Sequence, residues 1–81
     1  MKANNKKMMI ETMISAIAKM PVEVAILGGK DGKGVIISIV IDGNEDETTQ
    51  AAKRIEGMAG GKFDNGGYDS ELEAYFCGIN E

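Results

Sequence analysis

The sequence has no histidine and no tryptophan, one cysteine, one proline, and only two phenylalanines and two tyrosines among its 81 residues. Without histidine it lacks the usual general base near neutral pH, the Ser-His and Cys-His dyads, and the commonest metal ligand. Most hydrolytic and zinc chemistries are excluded with it, so no catalytic residue, cofactor or metal ligand is assigned and the chain is not expected to be an enzyme. A lone Cys77 cannot form an internal disulfide, whereas small secreted domains usually carry several. Its neighbours are apolar and aromatic with no Lys or Arg close in sequence, the setting of a buried, inert thiol. The basic start, Met1 to Lys7, leads into a stretch interrupted by Glu11 and Lys19, leaving no apolar run long enough for a signal-peptide core or a membrane span. A cytoplasmic protein without a membrane partner is expected.

What remains is an ordinary globular composition, 43% hydrophobic and 27% charged, too apolar for a disordered chain. At this length the core is small, and support from a second subunit is a live expectation. Residues 1–81 read as a single α+β domain, with residues 1–4 expected outside the ordered body. The net charge of −4 conceals a gradient. Residues 1–40 hold six lysines against Glu11, Glu23 and Asp31, or +3, whereas residues 41–81 hold Lys53, Arg54 and Lys62 against ten acids, or −7. An acidic side favours basic partners and disfavours nucleic-acid phosphates.

Ile10, Met13, Ile14 and Ile17 fall at helical spacing, widened by Met9, Ala16 and Met20, and predict a helix from Asn4 to Lys19 that Pro21 ends. The period then becomes two. Val22, Val24 and Ile26 alternate with Glu23, Ala25 and Leu27 up to Gly28-Gly29. Val35, Ile37, Ile39 and Ile41 mark a second strand, whose other face, Ile36, Ser38 and Val40, is also largely apolar. That strand is expected to be central and covered on both sides, or to meet a second subunit. Asp31-Gly32 suits a two-residue turn, so the two strands should pair antiparallel. Asn44 with Glu47 forms a capping pair opening a second helix, with acids at Glu45, Asp46 and Glu47 in its first turn. Thr48, Ala51, Ala52 and Ile55, with Met58 and Ala59, give its buried stripe, and Gly57 or Gly60-Gly61 its stop. Beyond it Asn65-Gly66 is a hairpin signal. Leu72, Ala74 and Phe76, alternating with Glu71, Glu73 and Tyr75, read as a half-buried strand, although Leu72, Tyr75, Phe76 and Ile79 also match a helix.

Three motif readings fail on spacing. Gly28 to Gly34 lacks both ends of a phosphate loop and is followed by a strand rather than a helix. Asp42, Asn44 and Asp46 match the first three ligand positions of an EF-hand loop, but Glu47 stands at the required glycine and Lys53 at the bidentate glutamate. Lys2, Lys6 and Lys7 form a small cluster without interleaved aromatics, so direct nucleic-acid binding is not expected.

The expected fold is therefore a two-layer α+β arrangement in the order α-β-β-α-β-β, an antiparallel sheet of three to four strands packed against two helices. The leading functional expectation is a binding protein acting stoichiometrically on a protein partner with a basic surface. The residues expected to carry it are Asp42, Glu45, Asp46, Glu47, Asp64, Asp69, Glu71 and Glu73. Small acidic chains of this kind serve phages and mobile elements as inhibitors of nucleic-acid-processing enzymes, an inference from size and charge rather than from a motif. The alternatives are a structural homodimer formed through the first helix and the outer face of the second strand, and a small ligand-binding or accessory domain using the glycine loops.

Overall fold

In the computed structural model, residues 3–28 and 34–80 are described, with residues 3–5 described by their backbone alone. Helix α1 spans Ala3–Ala18, so Ala3 and Asn4 belong to the helix rather than to a tail. Its core-facing side is Ile10, Ile14, Ile17 and Ala18, with Ile14 and Ala18 fully enclosed. The expected stripe is too wide: Met9 and Met13 stand well out in solvent. Two residues before Pro21, Lys19 already ends the helix by entering the left-handed region at φ 62 while its amide donates to the Ser15 carbonyl. Arg54 then donates from Nη1 to the Ala18 carbonyl at 2.9 Å, satisfying a helix-terminal acceptor from outside the helix.

Strands β1 (Glu23–Gly28) and β2 (Val35–Asp42) pair antiparallel, with Gly28 opposite Val35. The Asp31-Gly32 turn expected between them lies outside the described residues. Helix α2 (Glu45–Ala59) opens as expected: Asn44 Oδ1 accepts from the Glu47 amide at 2.8 Å. It closes at Gly60, which holds φ 63, rather than at Gly57. Its buried stripe is Thr48, Ala51, Ala52 and Ile55. The enclosed Thr48 hydroxyl donates to the Asn44 carbonyl at 2.7 Å, so burial leaves it satisfied.

After a short 3-10 turn, β3 (Phe63–Asp69) and β4 (Ala74–Asn80) complete a four-stranded antiparallel sheet in the order β1-β2-β4-β3. The second strand of each hairpin meets the other at the centre, Ile39 opposite Cys77 and Ile41 opposite Tyr75. Both helices contact the sheet, and their buried stripes join Val24, Ile39, Ile41, Tyr75 and Cys77 in one core. Ile14, Ile39, Ile41 and Ile55 are wholly enclosed, and each contributes about 1.5–3 kcal/mol of burial. No helix among the described residues is long and apolar enough to cross a membrane.

The C-terminal third departs from expectation twice. Asn65-Gly66 lies inside β3, where the register against β4 shifts between Asn65 and Gly67. It forms a bulge rather than a hairpin turn. Gly67 holds φ 98, and a Cβ on Gly66 would lie 2.6 Å from the Phe76 carbonyl oxygen, which makes both glycines structural necessities. Residues 74–80 are strand as expected, but in the opposite phase. Tyr75 and Cys77 are buried in the core, Phe76 lies on the outer face, and Leu72 is 65% exposed in the preceding turn. Because the strand begins only at Ala74, Glu71 and Glu73 belong to that turn rather than to the strand.

Candidate functional site

The inward burial of Ile39 and Ile41 fixes the pleat of β2 and sends Val40 and Asp42 to the outer face. Gly43 and the cap Asn44 follow, and α2 presents Glu45, Asp46 and Glu47 in its first turn. These carboxylates sit where the helix dipole favours negative charge, so their placement also stabilises α2.

The β3–β4 turn arrives at the same end. Asp69 Oδ1 accepts from the amides of Glu71 at 2.9 Å and Leu72 at 3.1 Å, bending the chain before Glu73. Glu73 takes φ 52, an unusual conformation for a non-glycine residue. Its carbonyl accepts from the Gly43 amide at 3.0 Å, while the Tyr68 hydroxyl donates to the Gly43 carbonyl at 2.9 Å. The peptide groups around Gly43 are thus held by the β3–β4 hairpin, next to the register pair Asp42 and Ala74. A side chain on Gly43 would press on Thr48 Cγ2 at 3.1 Å and Met20 Cε at 3.3 Å.

The two stretches that carry seven of the eight acids expected to bind a partner meet at Gly43: Asp42, Glu45, Asp46 and Glu47 lie on the β2–α2 junction, and Asp69, Glu71 and Glu73 on the turn. Residues 40–50 and 68–74 contain no lysine or arginine. The Tyr68 hydroxyl records this setting: its pKa is raised by burial first, then by the charges of Glu73, Glu45 and Asp69. Glu47 is partly offset, lining with Lys19, Gln50 and Arg54 a depression of about 260 Å³ between the helices. Asp64 is not part of the cluster. It pairs with Gly78, four residues along β4 from Ala74, or about 13 Å at the rise of an antiparallel strand.

Gly43, Tyr68 and the left-handed Glu73, which join the two stretches, carry no signal in the sequence. A lone tyrosine after Gly-Gly gives no local hint of a partner 25 residues away. Cys77 is buried, and burial, then Asp64, push its thiol up to about 11, keeping it protonated at neutral pH. Among the described residues no three His, Cys, Asp or Glu side chains are placed to hold a metal ion. Asn44 Oδ1, a ligand position in the EF-hand reading, serves the helix cap. No known protein family, curated protein or solved structure matches the chain.

Proposed function

We propose that the chain is a cytoplasmic, non-catalytic binding protein whose acidic end docks stoichiometrically onto a basic surface of a protein partner. The observation that supports this reading is the joining of the β2–α2 junction to the β3–β4 turn through Gly43, which gathers acids from two distant stretches of sequence at one end. Neither stretch contains a lysine or arginine, so apart from Glu47, which lies beside Lys19 and Arg54, their field extends into solvent and steers a basic partner toward them. Hydrogen bonds already fix the backbone of this end, so little ordering entropy is lost on docking. A basic groove that normally holds nucleic-acid phosphates suits such a surface, and occupying it would inhibit the enzyme that owns the groove.

The test is capture from a lysate of the source organism on immobilised protein, followed by a salt gradient and then by competition with duplex DNA or RNA. The reading expects one basic protein, bound one to one, released at moderate salt and displaced by nucleic acid. Retention through high salt, or indifference to the nucleic acid, would count against it.

A further inference from the structure

Strand β3 carries the one asparagine of the sequence that is followed by glycine, Asn65-Gly66. β3 is an edge strand, and both residues are exposed on it. Asn65 lies opposite Cys77 and Gly67 opposite Phe76, so Gly66 is the extra residue of the bulge and has no register partner. A bulge disrupts the ladder at its extra residue, and no further strand lies outside β3 to hold the backbone there. Position 66 must be glycine, because a Cβ would meet the Phe76 carbonyl oxygen at 2.6 Å. The same missing side chain leaves the Gly66 amide nitrogen without the steric screen that other residues give it.

Tyr75 supplies the remaining part. Its ring is buried in the core, and its hydroxyl donates to Asn65 Oδ1. That hydrogen bond draws electron density from Asn65 Cγ and stands where negative charge develops when a nucleophile adds to the side-chain amide. Asn44 is placed differently: it is followed by Glu45, whose backbone is set by the first turn of α2.

We infer that Asn65 is a site of spontaneous covalent modification, in which the Gly66 amide nitrogen attacks the Asn65 side chain while the Tyr75 hydroxyl stabilises the oxyanion. A bond forms between Gly66 N and Asn65 Cγ, and the Gly66 amide proton passes to solvent. The Cγ–Nδ2 bond then breaks as Nδ2 takes up a proton and departs as ammonia, leaving a five-membered succinimide. Water opens the ring at either carbonyl. Addition at Cγ gives an ordinary chain with aspartate at position 65; addition at the backbone carbonyl gives an isoaspartyl linkage, which runs through the side chain and is longer by one carbon. One water is consumed and one ammonia released, with no change of oxidation state.

Either product sets a carboxylate against Tyr75 and next to Asp64. The isoaspartyl form also lengthens β3 just ahead of Tyr68, whose hydroxyl holds the Gly43 carbonyl. It should therefore melt lower than the unmodified chain. This inference is independent of the acidic-end reading, because the modification is read by mass and needs no partner.

The test is prolonged incubation of the full chain at neutral pH in heavy-oxygen water, followed by digestion in ordinary water and peptide mass spectrometry. Asn65 should be the first asparagine to convert, its new carboxyl carrying the heavy oxygen. Tyr75→Phe should slow the conversion about fivefold, the factor that one hydrogen bond supplies. A second comparison does not depend on that variant folding: the wild type unfolded in urea, where Tyr75 and Asn65 separate, should convert no faster than the folded protein. Conversion of Asn44 ahead of Asn65, an unchanged or faster rate in folded Tyr75→Phe, or a faster rate in urea would overturn the inference.

Discussion

The carboxylate of Glu11 accepts a hydrogen bond from the Val24 amide at 3.0 Å, tying the middle of α1 to the free edge of β1. One turn further on, Ser15 Oγ accepts from the Val22 amide at 3.1 Å. β1 is an edge strand, and such an edge presents unpaired amides to other chains. The helix thus takes up the Val24 amide of that edge and the Val22 amide just before it with its own side chains. Glu11→Ala should lower stability by about 1–2 kcal/mol and Ser15→Ala by about 1 kcal/mol in urea unfolding. The doubly substituted protein should also aggregate more readily on heating. An unchanged midpoint for Glu11→Ala would show that water replaces the carboxylate at no cost.

Tyr68→Phe removes the hydroxyl that donates to the Gly43 carbonyl and keeps the ring. Stability should fall by about 1 kcal/mol. Amide exchange should accelerate at the β3–β4 turn and the start of α2 together, because the latch joins them, while the β1–β2 ladder stays protected. Acceleration confined to the turn would mean that the two segments are not coupled through Gly43.

Glu73 holds φ 52, a conformation that costs an ordinary residue roughly 1 kcal/mol and glycine almost nothing. Glu73→Gly should therefore stabilise the fold by about 0.5–1 kcal/mol while removing one charge from the acidic end. A rise in melting temperature together with weaker partner binding is the expected pair of results. Destabilisation would show that the Glu73 side chain contributes to folding.

Alkaline pH should unfold the protein by a definable route. Burial, with Asp64 second, pushes Cys77 up to about 11, and burial is also the largest cause raising Tyr68 and Tyr75. All three neutral forms are favoured by the fold, so the unfolded chain loses its protons first, Cys at about 8.5 and Tyr at about 10. Their contribution to stability is complete below those values and is lost as pH rises through the higher folded-state values. The melting temperature should hold until about pH 8 and then fall toward about pH 11. Cys77→Ala should delay the onset until the tyrosines titrate. A melting temperature constant over that window would contradict the assignment.

Much of the fold is legible locally. The spacing of Ile10, Ile14 and Ile17, the Asn44 and Glu47 pair, and the alternation from Val35 to Ile41 each specify an element without reference to the rest. The last strand is harder because β4 is central. Ala74 and Gly78 are buried on one face and Tyr75 and Cys77 on the other, so its burial pattern carries no period of two, and neighbouring Leu72 supplies a false phase. Asn65-Gly66 misleads because its glycine serves a bulge as readily as a turn. The acidic residues can be named from sequence, but their convergence cannot. It depends on the pairing of Asp42 with Ala74 and on Tyr68 reaching Gly43, contacts far apart in the chain. The exclusion of Asp64 follows from the same pairing.

The most direct test of the central claim compares capture by the wild type with capture by a variant whose acidic end is neutral: Glu45→Gln, Asp46→Asn, Glu71→Gln and Glu73→Gln together, with folding checked by circular dichroism. The account predicts that a basic partner held by the wild type at low salt is lost from this variant, its affinity falling about 10- to 100-fold, while Leu27→Lys retains it. Equal capture of that partner by the neutral variant would contradict the account.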